Sequence, residues 1–105
     1  MDELLQIMQE LTLPFAYDHF AEGESPEPPF AVYLIPDNNN FAADGIAYFK
    51  INEVHIELYT NKKAPELEAQ VEAVLDQHGI FYDKTETWIE PEKLYEVLFI
   101  FDMEA

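Results

Sequence analysis

A hydroxyl or thiol nucleophile needs a base within hydrogen-bond reach, and this sequence offers little from which to build such a pair. Its single serine, Ser25, stands in a proline-rich stretch, and it has no cysteine. The three histidines, His19, His55 and His78, are scattered along the chain. His55 lies beside Glu53 and Glu57 on one face of an alternating stretch, where a small metal site could form. A half-exposed histidine with a pKa raised by its carboxylate neighbours is the simpler reading. His78 closes a helical pattern, where an imidazolium suits the negative end of the helix dipole. HExxH, a phosphate-cradling glycine loop and the dinucleotide-binding fingerprint are all missing, with glycine only at positions 23, 45 and 79. Asp37-Asn38-Asn39-Asn40 with Asp44 has calcium-like composition. The EF-hand spacing fails, because Phe41 stands where an oxygen ligand is needed and no bidentate glutamate follows. A turn-rich loop accounts for the same residues. The expectation is no catalytic residue, no metal site and no cofactor.

The acids carry more content. Glu68, Glu72 and Asp76 recur at i, i+4 and i+8 beside an apolar stripe, a spacing at which like charges repel by a few tenths of a kcal/mol per pair. Either that flank is simply solvated, or it meets a cationic partner or lines a channel. Ala69 and Ala73 lie on the back of the same helix and would let another surface approach closely. Lys62-Lys63 is the only cationic cluster. Across the chain 22 acids face five lysines and no arginine, a net charge of −17. Residues 1–49 carry nine acids and no lysine or arginine. Binding to a phosphate backbone depends on lysine and arginine, so direct nucleic-acid binding is excluded as a function class. Anionic membranes are disfavoured for the same reason. What remains is a well-solvated surface, or one that must repel nucleic acid or imitate it.

The elements that position these residues can be read from periodicity. Ile51–Thr60 alternates, with Val54, Ile56 and Leu58 on one side and Glu53, His55, Glu57 and Tyr59 on the other, which predicts a strand with one face on a core. Asn61-Lys62-Lys63-Ala64 turns the chain. Pro65 opens a helix through Leu67, Val71, Val74, Leu75 and His78, and Gly79 stops it. Leu4, Ile7, Met8 and Leu11 predict a short first helix, ended by Pro14. Phe15–Phe20 reads as a strand, 21–29 as a stiff loop and Phe30–Ile35 as a strand closed by Pro36. A loop over 37–45 leads into strand character that starts at Ile46 and continues into Ile51–Thr60, giving a hairpin with a long tip. Ile80–Ile89 is a strand broken at Pro91. Leu94–Met103, apolar on both faces, should be central or covered by another chain. The result is a single α+β domain, 1–105, of order α-β-β-β-α-β-β: a mostly antiparallel sheet of about four to five strands with two helices on one face.

No secretory leader is expected, because Asp2 and Glu3 replace the basic region, and no run approaches the ~18 apolar residues of a membrane span. The absence of cysteine removes any disulfide framework.

Several stretches together resemble a known group. They are Gly23-Glu24 with Pro26 and Pro29, followed by Val32-Tyr33; Asn40-Phe41-Ala42-Ala43-Asp44-Gly45 with Tyr48; and Ile56-Glu57-Leu58-Tyr59-Thr60-Asn61-Lys62-Lys63. To these add Gly79-Ile80-Phe81-Tyr82 with Lys84, Glu86-Thr87 and Ile89-Glu90, and finally Leu94-Tyr95-Glu96-Val97. Over nearly its whole length the chain resembles the tail-completion, or tail-terminator, proteins of Gram-positive siphophages and their prophages. The resemblance implies a non-enzymatic virion part at the head–tail junction. Such a part is made in the host cytoplasm and assembles into a ring, often hexameric, that caps the tail tube and meets the head–tail connector protein. Its charge would oppose self-association, which makes the tail tube the expected template for the ring. On this reading Asn39, Asn40, Phe41, Asp44, Lys62, Lys63, Ala69 and Ala73 are candidate contacts between subunits or with partners. Glu53 and Glu57, or Glu68, Glu72 and Asp76, would line a DNA-repelling lumen. The rival class is an acidic DNA mimic that inhibits a host nuclease or restriction system.

Overall fold

The first helix, α1 (Asp2–Glu10), has nine residues, too few to persist alone in water. What it buries holds it in place. Leu4, Ile7 and Met8, with Leu11 just beyond, are at most 2% exposed. At roughly 2 kcal/mol per fully buried apolar side chain, that seam outweighs the differences in helix propensity along so short a segment. The computed structural model describes residues 2–21, 23–38, 41–43 and 47–104.

After α1 come β1 (Phe15–Tyr17), β2 (Phe30–Asn38), β3 (Phe41–Ala43), β4 (Ala47–Phe49), β5 (Ile51–Thr60), α2 (Pro65–Gln77), β6 (Tyr82–Ile89) and β7 (Leu94–Glu104). Five strands form one sheet in the order β1-β2-β5-β7-β6, and β3 pairs with β4 separately. Only β1–β2 is parallel; the other pairs in the sheet are antiparallel. Because β6 and β5 are each antiparallel to β7, they run parallel to one another, and α2 carries the chain over β7 between them. The expected α+β order α-β-β-β-α-β-β is the order of the sheet strands and helices.

Both helices lie on one face. Ala31, Val54, Ile56, Leu58, Val97, Phe99 and Phe101 from the sheet join Leu4, Ile7, Met8, Leu11, Val71 and Leu75 in one core. The opposite face carries Val32, Leu34, Glu53, His55, Glu57, Tyr59, Glu96, Leu98 and Ile100, following from strand alternation and register. As expected of a doubly apolar strand, β7 is flanked on both sides.

Four boundaries differ from expectation by more than one residue. β1 stops at Tyr17 because Asp18 turns into the left-handed region at φ 66°, which Asp tolerates better than most residues. β2 does not close at Pro36 but continues to Asn38, with the pairing register shifted between Leu34 and Asp37. A bulge is where a strand can hold a residue without an N–H. The stretch from Ile46 to Thr60 is not one strand: β4 pairs back on β3, inside the expected loop, and β5 begins at Ile51. β6 begins at Tyr82 because residues 78–81 complete the helix stop. There Gly79 has φ +69°, its N–H bonds the Asp76 carbonyl, and the Ile80 N–H bonds that of Leu75. This is a Schellman closure, which favours glycine.

Candidate functional site

The alternation that puts Val97 and Phe99 of β7 into the core puts Lys84 and Glu86 of β6, their register partners, on the same helix-facing side. Lys84 therefore rises toward α2. Its Nζ lies 2.8 Å from Glu68 and 2.8 Å from Glu72. Lys63, in the turn before α2, lies 2.7 Å from Glu68 and also pairs with Glu86. The Tyr82 hydroxyl donates to Glu72. Burial pushes the Glu68 carboxyl up, but the hydrogen bonds from Lys63 and Lys84 outweigh it and hold it below its ordinary value. Hydrogen bonding to Glu68 and Glu72 raises Lys84 well above the usual lysine range. The i, i+4 repulsion expected of Glu68 and Glu72 is thus met by a lysine set between them.

This placement separates the acidic residues. Glu68 is only 4% exposed and turned inward; Glu72 is half-buried and paired; Asp76 is exposed. Glu53 and Glu57 sit on the opposite face of the sheet, so the two acidic sets face away from one another. Lys63 is engaged within its own chain, whereas Lys62, Ala69 and Ala73 are exposed. Phe41 belongs to β3; Asn39, Asn40 and Asp44 lie outside the described residues.

On the open face, the Tyr59 hydroxyl lies 2.8 Å from a carboxylate oxygen of Glu57 and 2.8 Å from one of Glu96, its cross-strand partner on β7. Burial, reinforced by the nearby Glu96, pushes the Glu57 carboxyl above its ordinary value despite that hydrogen bond. Burial and the two carboxylates push the Tyr59 hydroxyl far up. Phe30 stacks on Tyr59 with ring centroids 5.2 Å apart, and Phe20 meets Phe30 edge-on at 5.4 Å. Glu57, Tyr59, Phe30 and Phe20 wall a cavity of about 330 Å³, completed by Asp18, His19, Ser25, Val32, Ile89, Glu92 and Leu94. Asp18 and His19 form an exposed pair at 2.9 Å, but no hydrogen bond among the described residues joins His19 to Ser25. The three line one cavity without forming a relay. At the other end of the same face, Glu53, Asp83, Asp102 and Ile100 line a hollow of about 500 Å³ beside the exposed Phe81. His55 lies 3.6 Å from Glu53, and no cluster of three metal-ligating side chains occurs among the described residues.

No family model matches the chain, and no curated protein does. The fold has a solved counterpart in a virus-like particle. A chain from the structure "Virion of native gene transfer agent (GTA) particle" superposes with a TM-score of 0.62 and 12% sequence identity, covering 93% of this chain and 82% of that one. At this identity the likeness is one of fold.

A further polar site joins the helices. His78 caps α2, and both ring nitrogens face carboxylates of α1: Nδ1 is 3.0 Å from Glu3 and Nε2 is 2.9 Å from Glu10. Two acceptors require two N–H donors, so the arrangement favours the imidazolium. Hydrogen bonding to Glu10 and Glu3 raises the His78 pKa.

Sequence reasoning placed Glu68 and Glu72 on the second helix and His78 at its end but missed their partners. Lys84, Tyr82 and Glu86 were legible as strand residues, and only the β6–β7 register shows that they face α2. Glu96 was likewise visible as a polar residue of β7, but its meeting with Tyr59 depends on β5 and β7 being neighbours. Among the described residues no helix is long and apolar enough to cross a membrane.

Proposed function

We propose that this protein is a structural, non-enzymatic component of a phage-like particle, acting at the head–tail junction as a tail-terminator or tail-completion ring subunit. The observation that carries this reading is the fold likeness to a chain of a gene transfer agent virion over 93% of this sequence. It stands beside the sequence resemblance to tail-completion proteins and the net charge of −17. A ring around a DNA conduit should repel phosphate so that the genome passes without adhering.

On this reading the lumen face is the one whose acids are less engaged within their own chain. Glu68 and Glu72 already hold lysines of their own chain, so the α2 flank offers little uncompensated charge beyond Asp76. The open sheet face is the better lumen surface, led by Glu53 with Asp83 around the hollow at its end; Glu57, at the Tyr59 end, is more enclosed. Phe41 of the β3–β4 arm, its sequence neighbours Asn39, Asn40 and Asp44, the exposed Lys62, and the Ala69–Ala73 back of α2 supply contacts to neighbouring copies. The tail tube protein and the head–tail connector protein are the partners, the virion is the location, and the ring forms when the tube templates it.

Mass spectrometry and immunogold labelling of purified particles test this directly. The protein should be present at the junction, and its deletion should leave heads and tails unjoined or tails of uncontrolled length. Particles of normal form and yield that lack the protein would end the proposal.

A further inference from the structure

The cavity at the Tyr59 end of the open face is short of one cation. Its floor is the Glu57 carboxylate, half-buried, whose hydrogen-bond partner among the described residues is the Tyr59 hydroxyl. That hydroxyl has one proton, yet it stands at 2.8 Å from Glu57 and at 2.8 Å from Glu96. It can donate to only one of them at a time. No ion pair among the described residues reaches either carboxylate. The walls are aromatic: Phe30 lies against Tyr59, Phe20 stands edge-on to Phe30, and Asp18 and Glu92 complete the rim. About 330 Å³ of space is open above that floor. Aromatic faces beside a carboxylate with no ion-pair partner among the described residues form a receptor for an organic cation with an apolar stem.

We infer that this cavity receives an arginine side chain from a different protein. A guanidinium supplies several N–H donors in a planar fork, enough to serve Glu57 and a rim carboxylate, Asp18 or Glu92, while its face lies on the aromatic wall and the Tyr59 proton is left to Glu96. This chain contains no arginine. Of its five lysines, Lys63, Lys84 and Lys93 are held in ion pairs with its own glutamates, and Lys50 has a partner as well. A second copy therefore has little to offer beyond Lys62, and a surface this acidic selects a basic neighbour.

The test uses the intact protein and two small probes, Nα-acetyl-arginine methylamide and its neutral isostere Nα-acetyl-citrulline methylamide, titrated by NMR. The arginine probe should give saturable shifts confined to the amides of Phe20, Phe30, Glu57, Tyr59 and Glu96, and should lower the Glu57 carboxyl pKa. Citrulline should bind about tenfold more weakly or worse, as expected when a charge-assisted hydrogen bond is lost. Glu57→Gln should remove the difference between the probes, and Tyr59→Phe, which preserves the aromatic wall, should keep it. Glu66→Gln, on the exposed side of α2, should change nothing. Equal response to both probes, or shifts spread evenly over the acidic surface, overturns the inference. A self-associated form that the arginine probe dissociates and Lys62→Gln abolishes would make a second copy the occupant and overturn the choice of a different protein. An arginine-selective cavity on a protein absent from virions would leave this inference standing and remove the particle assignment, so the two fail separately.

Discussion

Glu68 is the residue whose environment matters most for its own neighbourhood. It is a carboxylate buried to 4% exposure, held by two lysines that are themselves partly in water. Removing one member of a fully buried pair costs several kcal/mol, and exposed pairs contribute under about 1 kcal/mol. The half-wet lysines place Glu68→Ala between these limits, at about 1–2 kcal/mol of lost stability in urea unfolding. Exposed Glu66→Ala should stay within about 0.5 kcal/mol. His78 makes a pH-dependent contribution whose sign follows from the direction of its shift. Its folded pKa lies above the ordinary 6.5, so the stabilisation is complete below pH 6.5 and is lost as pH climbs through the raised value. The melting-temperature gap between the parent and His78→Gln should therefore be widest in mild acid and close at alkaline pH. A gap that widened with pH would contradict the imidazolium bridge between α1 and α2.

At the scale of elements, the sheet is built outward from β5, and β7 locks the β6 edge onto it. Phe99 of β7 is fully buried and lies between β5 and β6. Phe99→Ala should cost about 3–5 kcal/mol, read as a lowered denaturation midpoint. The β3–β4 arm pairs with itself and not with the five-stranded sheet. Replacing residues 39–49 by a short glycine-containing turn should therefore leave the circular dichroism spectrum and melting temperature nearly unchanged. On the proposed function the same variant should fail to assemble on tail tubes. A large loss of melting temperature would show that the arm supports the core. The arm was only half legible in the sequence. The turn residues marked a long tip, but a run of strand character from Ile46 into β5 hid the break at Lys50, because propensity does not reveal which partner a strand chooses.

Taken whole, the molecule is elongated, 49 × 29 × 23 Å, and carries −17 charges. Raising salt from about 0.01 M to about 0.15 M shortens the screening length from about 30 Å to about 8 Å. Repulsion among the unpaired acids weakens more than the short-range pairs at Glu68 do, so thermal scans should show the melting temperature rising with salt. Ring or filament formation should also be favoured at the higher salt. A melting temperature that fell over that range would mean that ion pairs outweigh the net repulsion.

Periodicity by itself determined the fold class, the order of helices and sheet strands, and the core faces of α1, α2 and β5. Each of these depends on residues near one another in sequence. Tertiary structure alone decided that Glu68 is caged by Lys63 and Lys84, that His78 joins both helices through Glu3 and Glu10, and that Glu57, Tyr59 and Glu96 share one proton beneath an aromatic wall. Apart from Glu57 and Tyr59, neighbours on one strand, those meetings join residues 5 to 75 positions apart and arise only once strand order and register are set, which no local pattern encodes.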